Sequence, residues 1–232
     1  MIERYSIHAS ARQIAARFQI EEPEAFKPRY NAAPSQLLPV ITHESPHGFS
    51  YFYWGTAPQW SKNKTLAERI INTRGELIKD KPVLKKNLKT HRCLIPADGF
   101  YAWKKVGKKI AVPWRIILKS KDIFTLAGIW EEYDDQEGNS FHTFSIITIP
   151  AEEWIAGITE RMPVIFSKDE EKIWLDKNAS EDQLLSLLKL FPENLLEGYN
   201  VSPGINSTER DSPSQIIPTP PADQFGNLTL FD

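Results

Sequence analysis

Residues 92–103 read Arg-Cys-Leu-Ile-Pro-Ala-Asp-Gly-Phe-Tyr-Ala-Trp, and this run opens the series of strands that decides the fold. Apolar and aromatic stretches that are typical of strands recur at 93–96, 99–104, 112–119, 124–133 and 142–149. Turn residues at Gly107 and at 134–138 predict hairpins within this series. Strands connected mostly by hairpins, with a few short helices around them, indicate an α+β domain.

Short helices are predicted on both sides of the strands. Ser10 is a suitable N-cap for a helix that ends near Gln19, and Pro82 begins another that ends near Leu88. Further helices are predicted at 151–158, 168–175 and 181–190. No internal repeat or linker divides the chain, so we expect a single domain at 1–206. Residues 207–232 are rich in Pro, Ser and Thr and are predicted to form an extended tail.

The composition excludes several classes of protein. The 232 residues include one cysteine, Cys93, so neither an internal disulfide nor a zinc site made of thiolates alone can form. The five histidines lack metal-site spacing and no glycine-rich nucleotide loop is present, so we predict no metal and no cofactor. There is no apolar run of about 18 residues and no signal-peptide pattern. We therefore expect a cytoplasmic protein that does not span a membrane.

The net charge of −2 conceals a basic middle. Residues 61–120 contain 16 Lys and Arg against four acids, which gives 16 − 4 = +12. The rest of the chain has 28 − 16 = 12 bases and 30 − 4 = 26 acids, or −14. A local polyanion site would have such a basic window, but scattered solvated lysines would also produce it.

Eight short segments, taken together and in order, resemble the SOS response-associated peptidase (SRAP) family, whose members process abasic sites in DNA. They include Arg-Tyr-Asn-Ala-Ala-Pro-Ser-Gln at 29–36, Ile-Asn-Thr-Arg-Gly-Glu at 71–76 and the run at 92–103. The others lie at 4–6, 54–60, 127–131, 161–165 and 201–203. The resemblance implies an open, barrel-like β fold with short helices around it. It also implies a positively charged groove for single-stranded DNA and a place at the bacterial nucleoid.

The resemblance also implies a specific covalent chemistry. In the family, removal of the initiator Met exposes an N-terminal Cys, whose amine and thiol capture the aldehyde of an abasic site as a thiazolidine. An α-amine titrates near pH 8, so enough of it is neutral to attack an aldehyde. A Glu and a His assist the proton transfers, and an Asn helps to hold the N-terminus.

This sequence departs from the family at three catalytic positions. Ile2 stands where the family has Cys, and this large residue should keep Met1 in place. Ala102 lies between Tyr and Trp where the family has Glu, and Thr159 takes the place of the His. Whether the protein is an enzyme therefore stays open. Asn72 matches the Asn that holds the N-terminus.

The positions that match the family's DNA contacts are retained. We predict nucleic-acid binding by Arg4, Trp60, Asn72, Arg74, Thr148 and Arg161. Arginine forks suit phosphate oxygens, and an indole can stack on a base. The alternative is that these residues are inherited scaffold that satisfies buried carbonyls.

The last residues contain a second candidate site. Asn-Leu-Thr-Leu-Phe at 227–231 resembles the short peptide that binds the bacterial sliding clamp, with Asn in place of the usual Gln. Leu228, Leu230 and Phe231 would enter an apolar groove of the clamp. Alternatively, these side chains pack back on the barrel.

Three functions follow from these observations. The first is a monomeric protein that binds single-stranded or abasic DNA and has lost the crosslinking chemistry. The second is an abasic-site crosslinking enzyme with substituted groups. The third is an interaction module that is recruited to the clamp and has no role on DNA.

Overall fold

The structure is a computed structural model that describes residues 1–55, 70–106, 110–134 and 138–220. Trp60 and the tail residues Leu228, Leu230 and Phe231 lie outside these ranges, so the predictions on them stay predictions. Across the described ranges, no helix is both long and apolar enough to cross a lipid bilayer.

The strands and helices predicted above are all present, and further short strands lie before and after them. The strands are β1 Tyr5–Ile7, β2 Arg29–Ala32, β3 Leu37–Thr42, β4 Ser50–Trp54, β5 Asn72–Arg74, β6 Arg92–Ala97, β7 Gly99–Val106, β8 Ile110–Leu118, β9 Phe124–Asp134, β10 Ser140–Pro150, β11 Arg161–Pro163, β12 Ile165–Phe166 and β13 Leu196–Asn200. The helices are α1 Ala11–Phe18, α2 Pro82–Thr90, α3 Glu153–Ala156, α4 Lys168–Leu175 and α5 Glu181–Ser186.

The larger sheet closes on itself as a barrel. Its strands follow the order β10, β4, β3, β6 and β9, and β9 pairs in turn with β10 to complete the ring. Long strands make this closure possible, since β10 pairs with β9 over residues 140–146 and with β11 at its far end. The α+β, barrel-like fold implied by the resemblance is therefore confirmed, and its ring is closed rather than open.

The smaller sheet positions the N-terminus. Its order is β13, β8, β7, β1 and β2, so β1 lies between two partners. Tyr5 is opposite Phe100, and the amide of Tyr101 donates to the carbonyl of Arg4. Continuing this antiparallel register brings residues 2 and 3 alongside 102 and 103.

The helices are short and are fixed at their ends by side chains. Ser10 and Gln13 form a reciprocal capping box at α1, and Ser167 with Glu170 forms another at α4. Arg92 is buried and donates to four carbonyl oxygens, those of Leu88, Lys89, Trp174 and Asp176. These acceptors belong to the C-terminal turns of α2 and α4, so one guanidinium ties both helices to the barrel.

The start of the segment assigned to the tail lies against β2. The Asn31 amide donates to the carbonyls of Ile205, Ser207 and Arg210, at 3.2, 2.9 and 2.8 Å. The Asp211 carboxylate accepts the backbone amides of residues 30 and 31. Residues 207–220 thus return to the domain, because Asn31 and Asp211 supply hydrogen bonds that a Pro-rich segment cannot make within itself.

Candidate functional site

Asn72 holds the N-terminal residues by two hydrogen bonds. Its Oδ1 accepts the amide of Ile2 at 3.3 Å, and its Nδ2 donates to the carbonyl of Ile2 at 2.7 Å. β5 carries Asn72 and runs parallel to β10, where Asn72 lies opposite Ile146. Asn72 therefore occupies the position that the resemblance implies for the residue that holds the N-terminus.

A cleft of about 430 Å³ lies beside the N-terminal residues that Asn72 holds. It is lined by Met1, Glu3, Trp103, Lys105 and residues 156–160. Thr159 lies in this lining and donates its hydroxyl to the carbonyl of Arg161 at 3.3 Å. The Met1 side chain is 64% exposed, so the first residue of the chain is accessible at this cleft.

The other two substituted positions belong to the core. Ile2 and Ala102 are 0% and 1% exposed and pack in the main hydrophobic cluster. Ala102 is opposite Trp114 in the β7–β8 pair. Ile2, Ala102 and Thr159 contain no thiol, carboxylate or imidazole, so these positions cannot supply the acid–base groups of the thiazolidine reaction.

Asp98 lies just before β7 and joins it to β1 and β8. It accepts the hydroxyl of Ser6 at 2.7 Å and the guanidinium of Arg115 at 2.9 Å, and the His8 ring lies 2.8 Å away. Burial raises the pKa of Asp98, but the His8 hydrogen bond and charge, together with the charge of Arg115, lower it overall. The ionised carboxylate therefore fixes β1 to β7 and β8.

Arg161 is held on two sides. Its Nε donates to Thr148 Oγ1 at 3.1 Å and its Nη2 to the Thr148 carbonyl at 2.7 Å. On the other side, Nη1 and Nη2 reach the two carboxylate oxygens of Glu76 at 2.7 and 2.8 Å. The hydrogen bond from Arg161 is the main cause that holds the pKa of Glu76 below its usual range. Thr148 is buried, so its hydroxyl positions Arg161.

Arg4 and Arg74 are the other cations among the predicted contacts. Arg4 is partly buried and donates from Nη1 to the Glu3 carbonyl at 2.6 Å, while within the described residues its buried Nε has no hydrogen-bond partner. Burial lowers the pKa of Arg4, against the opposing charge of Glu3. Arg74 is exposed and lies opposite Thr148 in the β5–β10 pair. The structure thus brings Asn72, Arg74, Thr148 and Arg161 together where β5 meets β10 and β11.

Cys93 lies away from this cleft, inside the barrel wall. It is a buried free thiol, and burial raises its pKa far above the usual range. A thiol that stays protonated is a poor nucleophile. Across the described ranges, no group of three or more His, Cys, Asp or Glu side chains is arranged to hold a metal ion.

Two acidic residues of this region were not singled out from the sequence. Glu76 and Asp98 are two of the four acids within the basic window at 61–120. Their cationic partners are Arg161 and Arg115. The pairing itself was not predictable, since 85 residues separate Glu76 from Arg161.

Comparison with known sequences places this geometry in context. The sequence model of the family described as SOS response associated peptidase (SRAP) matches residues 1–208. The chain is 38% identical over 221 residues to the abasic site processing protein YoqW of Bacillus subtilis, covering 93% of this chain and 99% of that protein. It is 26% identical over 240 residues to the abasic site processing protein HMCES of Rattus norvegicus, covering 86% of this chain and 67% of the relative.

Solved structures share the fold. A protein of Bacteroides thetaiotaomicron superposes with a TM-score of 0.82 at 26% identity, covering 93% of this chain and 98% of that one. A protein of Bordetella bronchiseptica gives a TM-score of 0.71 at 20% identity, with 86% and 99% covered. The second likeness concerns the fold alone.

Proposed function

Because the chain belongs to the SOS response associated peptidase (SRAP) family, we propose that it binds single-stranded DNA at abasic sites and no longer forms the thiazolidine crosslink. One observation carries this proposal. The three positions of the crosslinking groups hold Ile2, Ala102 and Thr159, two of them buried in the core. Arg4 and Arg161 are hydrogen-bonded to Glu3 and Thr159, which line the cleft beside Met1.

The loss of chemistry follows from what a thiazolidine requires. An amine and a thiol on one residue must both add to the aldehyde carbon, and the thiol closes the ring that traps the product. Met1 supplies an α-amine but no thiol, and Cys93 is buried. At most, the amine of Met1 would condense with the aldehyde, release water and leave an imine, which water reverses.

The cationic side chains support binding of a phosphate backbone. Guanidinium groups pair with phosphate oxygens, and the buried Nε of Arg4, which has no partner among the described residues, would gain an acceptor from a phosphate. Thr148 acts through Arg161 in this proposal, because its own hydroxyl is buried. The scaffold alternative assigns the same arginines to internal carbonyls and predicts no affinity for DNA.

An abasic single-stranded oligonucleotide distinguishes these functions. The protein is incubated with it and with an intact oligonucleotide, then run on native gels at several salt concentrations and on denaturing gels with and without borohydride. We expect a native-gel shift that weakens with salt and no adduct on the denaturing gel without reductant.

Each other outcome has a defined meaning. An adduct that forms without borohydride and survives heating would establish the crosslinking enzyme and contradict the proposal. An adduct seen only after borohydride would identify an imine, with Met1 and Lys105 as the amines of the cleft. If no native-gel shift appears, the protein does not bind DNA, and the remaining function is that of an interaction module. Recruitment to the sliding clamp depends on residues 227–231, which are not described, and stays a prediction.

A further inference from the structure

The guanidinium of Arg161 is almost fully occupied by the protein itself. A guanidinium has five N–H donors, and four of those in Arg161 are engaged by Thr148 and Glu76. The two bonds to Glu76 are side by side, in the geometry that a phosphate would use. An incoming phosphate therefore finds one free N–H and a carboxylate in its place.

The two partners of Arg161 differ in how readily they can be exchanged. Thr148 is buried within β10, where both its hydroxyl and its carbonyl hold Arg161. Glu76 lies on the short 3₁₀ turn Gly75–Leu77, and its side chain is 42% exposed, against 16% for Arg161. An exposed carboxylate is readily rehydrated when it leaves, so Glu76 is the partner that a DNA phosphate would replace.

Orientation of Arg161 does not require Glu76. The two bonds to Thr148 already fix the plane of the guanidinium, because they engage Nε and Nη2 on one edge. Glu76 occupies the adjacent edge, formed by Nη1 and Nη2, which is the edge left for a ligand. A residue on that edge competes with an anionic ligand and adds little to the positioning.

We propose that Glu76 is an internal competitor, which a DNA phosphate must displace before Arg161 can make a bidentate contact. The inference rests on the proposed DNA binding and deepens it. Exchange of one carboxylate for one phosphate leaves the guanidinium fully paired before and after, so binding gains less than a free arginine would give. Arg74 lies two residues before Glu76, so a strand that reaches Arg74 arrives at the same turn.

Titration of a fluorescent oligothymidylate of about 16 nucleotides, followed by anisotropy, tests this competition. For Glu76→Gln we expect affinity to rise about tenfold at each salt concentration with the salt slope unchanged, because Arg161 makes the same phosphate contact in both proteins. Glu152→Gln is the matched control. Glu152 is an exposed acid. It lines, together with Glu76, a second surface cleft that is distinct from the cleft beside Met1, and in the described structure it makes no hydrogen bond to Arg161. This control should leave both the affinity and the slope unchanged.

A double-mutant cycle assigns the effect to Arg161. In the Arg161→Gln background, Glu76→Gln should no longer raise affinity. If the wild-type protein binds and Glu76→Gln binds equally or more weakly, the competitor role is overturned while the proposed function stands. If Glu76→Gln and Glu152→Gln behave alike, the gain is general electrostatics and the inference is also overturned. If no form of the protein binds DNA, the proposed function itself fails and the inference falls with it.

Discussion

Two neighbouring regions of the molecule differ in character. One is the cleft beside Met1, and the other is the arginine edge, formed by Arg74 and Arg161 where β5 meets β10 and β11. Behind the cleft, Ile2 and Ala102 are buried in the main hydrophobic cluster. At the edge, Arg74 and Arg161 remain polar and partly accessible. The difference teaches that neighbouring segments of one barrel can serve the core at one place and present charged groups to a ligand at another.

Energetics make the same distinction. Ile2 adds buried apolar surface to the core behind the cleft and so contributes to stability. The edge contributes little to stability, because exposed ion pairs are weak, yet it holds the groups that suit phosphate. Substitutions in the cleft should therefore change folding, and substitutions at the edge should change binding.

The largest effect is expected from Asp98, which joins β1 to β7 and β8 behind the cleft. Asp98→Asn leaves the buried Arg115 without its counter-charge, so the free energy of unfolding should fall by about 3–5 kcal/mol, measured in urea. Asp80→Asn removes an exposed acid from the same basic window and should stay within about 0.5 kcal/mol of wild type. Equal effects of the two variants would contradict the role given to the buried network.

The pH dependence of Asp98 has a defined sign. Its pKa is lowered in the folded protein, so its contribution is fully present above its unfolded pKa of about 3.9 and is lost as the pH falls through the folded value. Wild-type stability should therefore fall in acid below about pH 4. Asp98→Asn should show a shallower acid limb in urea titrations at stepped pH.

A smaller loss is expected when the cleft is made polar again. Ile2→Gln buries an amide and removes apolar contact, so unfolding should become easier by about 2–4 kcal/mol with DNA affinity unchanged in the folded protein. Glu3→Gln places the same amide one residue along at an exposed position and should change stability by less than about 0.5 kcal/mol. Weaker DNA binding by folded Ile2→Gln would remove the distinction between cleft and edge.

The smallest effect concerns the edge. Arg74→Gln should leave stability unchanged and lower affinity for single-stranded DNA about tenfold, with a salt slope reduced by about 0.7. The control Lys177→Gln removes an exposed cation from the turn between α4 and α5 and should leave the slope as it is. A loss of affinity common to both variants would indicate unspecific attraction.

Local signals predicted the elements well. Ser10 and Ser167 each form a capping box, and α4 spans the predicted residues 168–175. Other helices are shorter than predicted. α5 ends at Ser186 although apolar periodicity continues to 190, and α3 covers four of the eight residues predicted at 151–158. Helix ends depend on terminal contacts that periodicity does not encode.

Long-range pairing could not be read from the sequence. Closure of the barrel by β9 and β10, the parallel pairing of β5 with β10 and the return of residues 207–220 to Asn31 all join distant segments. At the candidate site, the sequence supplied Asn72, Arg74 and Arg161 through the family resemblance. It did not supply Glu76, because the competition for Arg161 exists only after β11 has been placed beside β10.

Restoring the missing groups tests the central claim most directly. The variant Ile2→Cys, Glu3→Gly, Ala102→Glu and Thr159→His is checked by circular dichroism for folding and by intact mass for removal of Met1. It is then incubated with an abasic single-stranded oligonucleotide. Its control carries Ile2→Ser with the same other three changes and so has the amine without the thiol. We predict a heat-stable adduct on a denaturing gel for the Cys variant and none for the Ser control or the wild type. A folded, Met1-free Cys variant that binds the oligonucleotide and forms no adduct would contradict the assignment of Ile2, Ala102 and Thr159 to the family's catalytic positions.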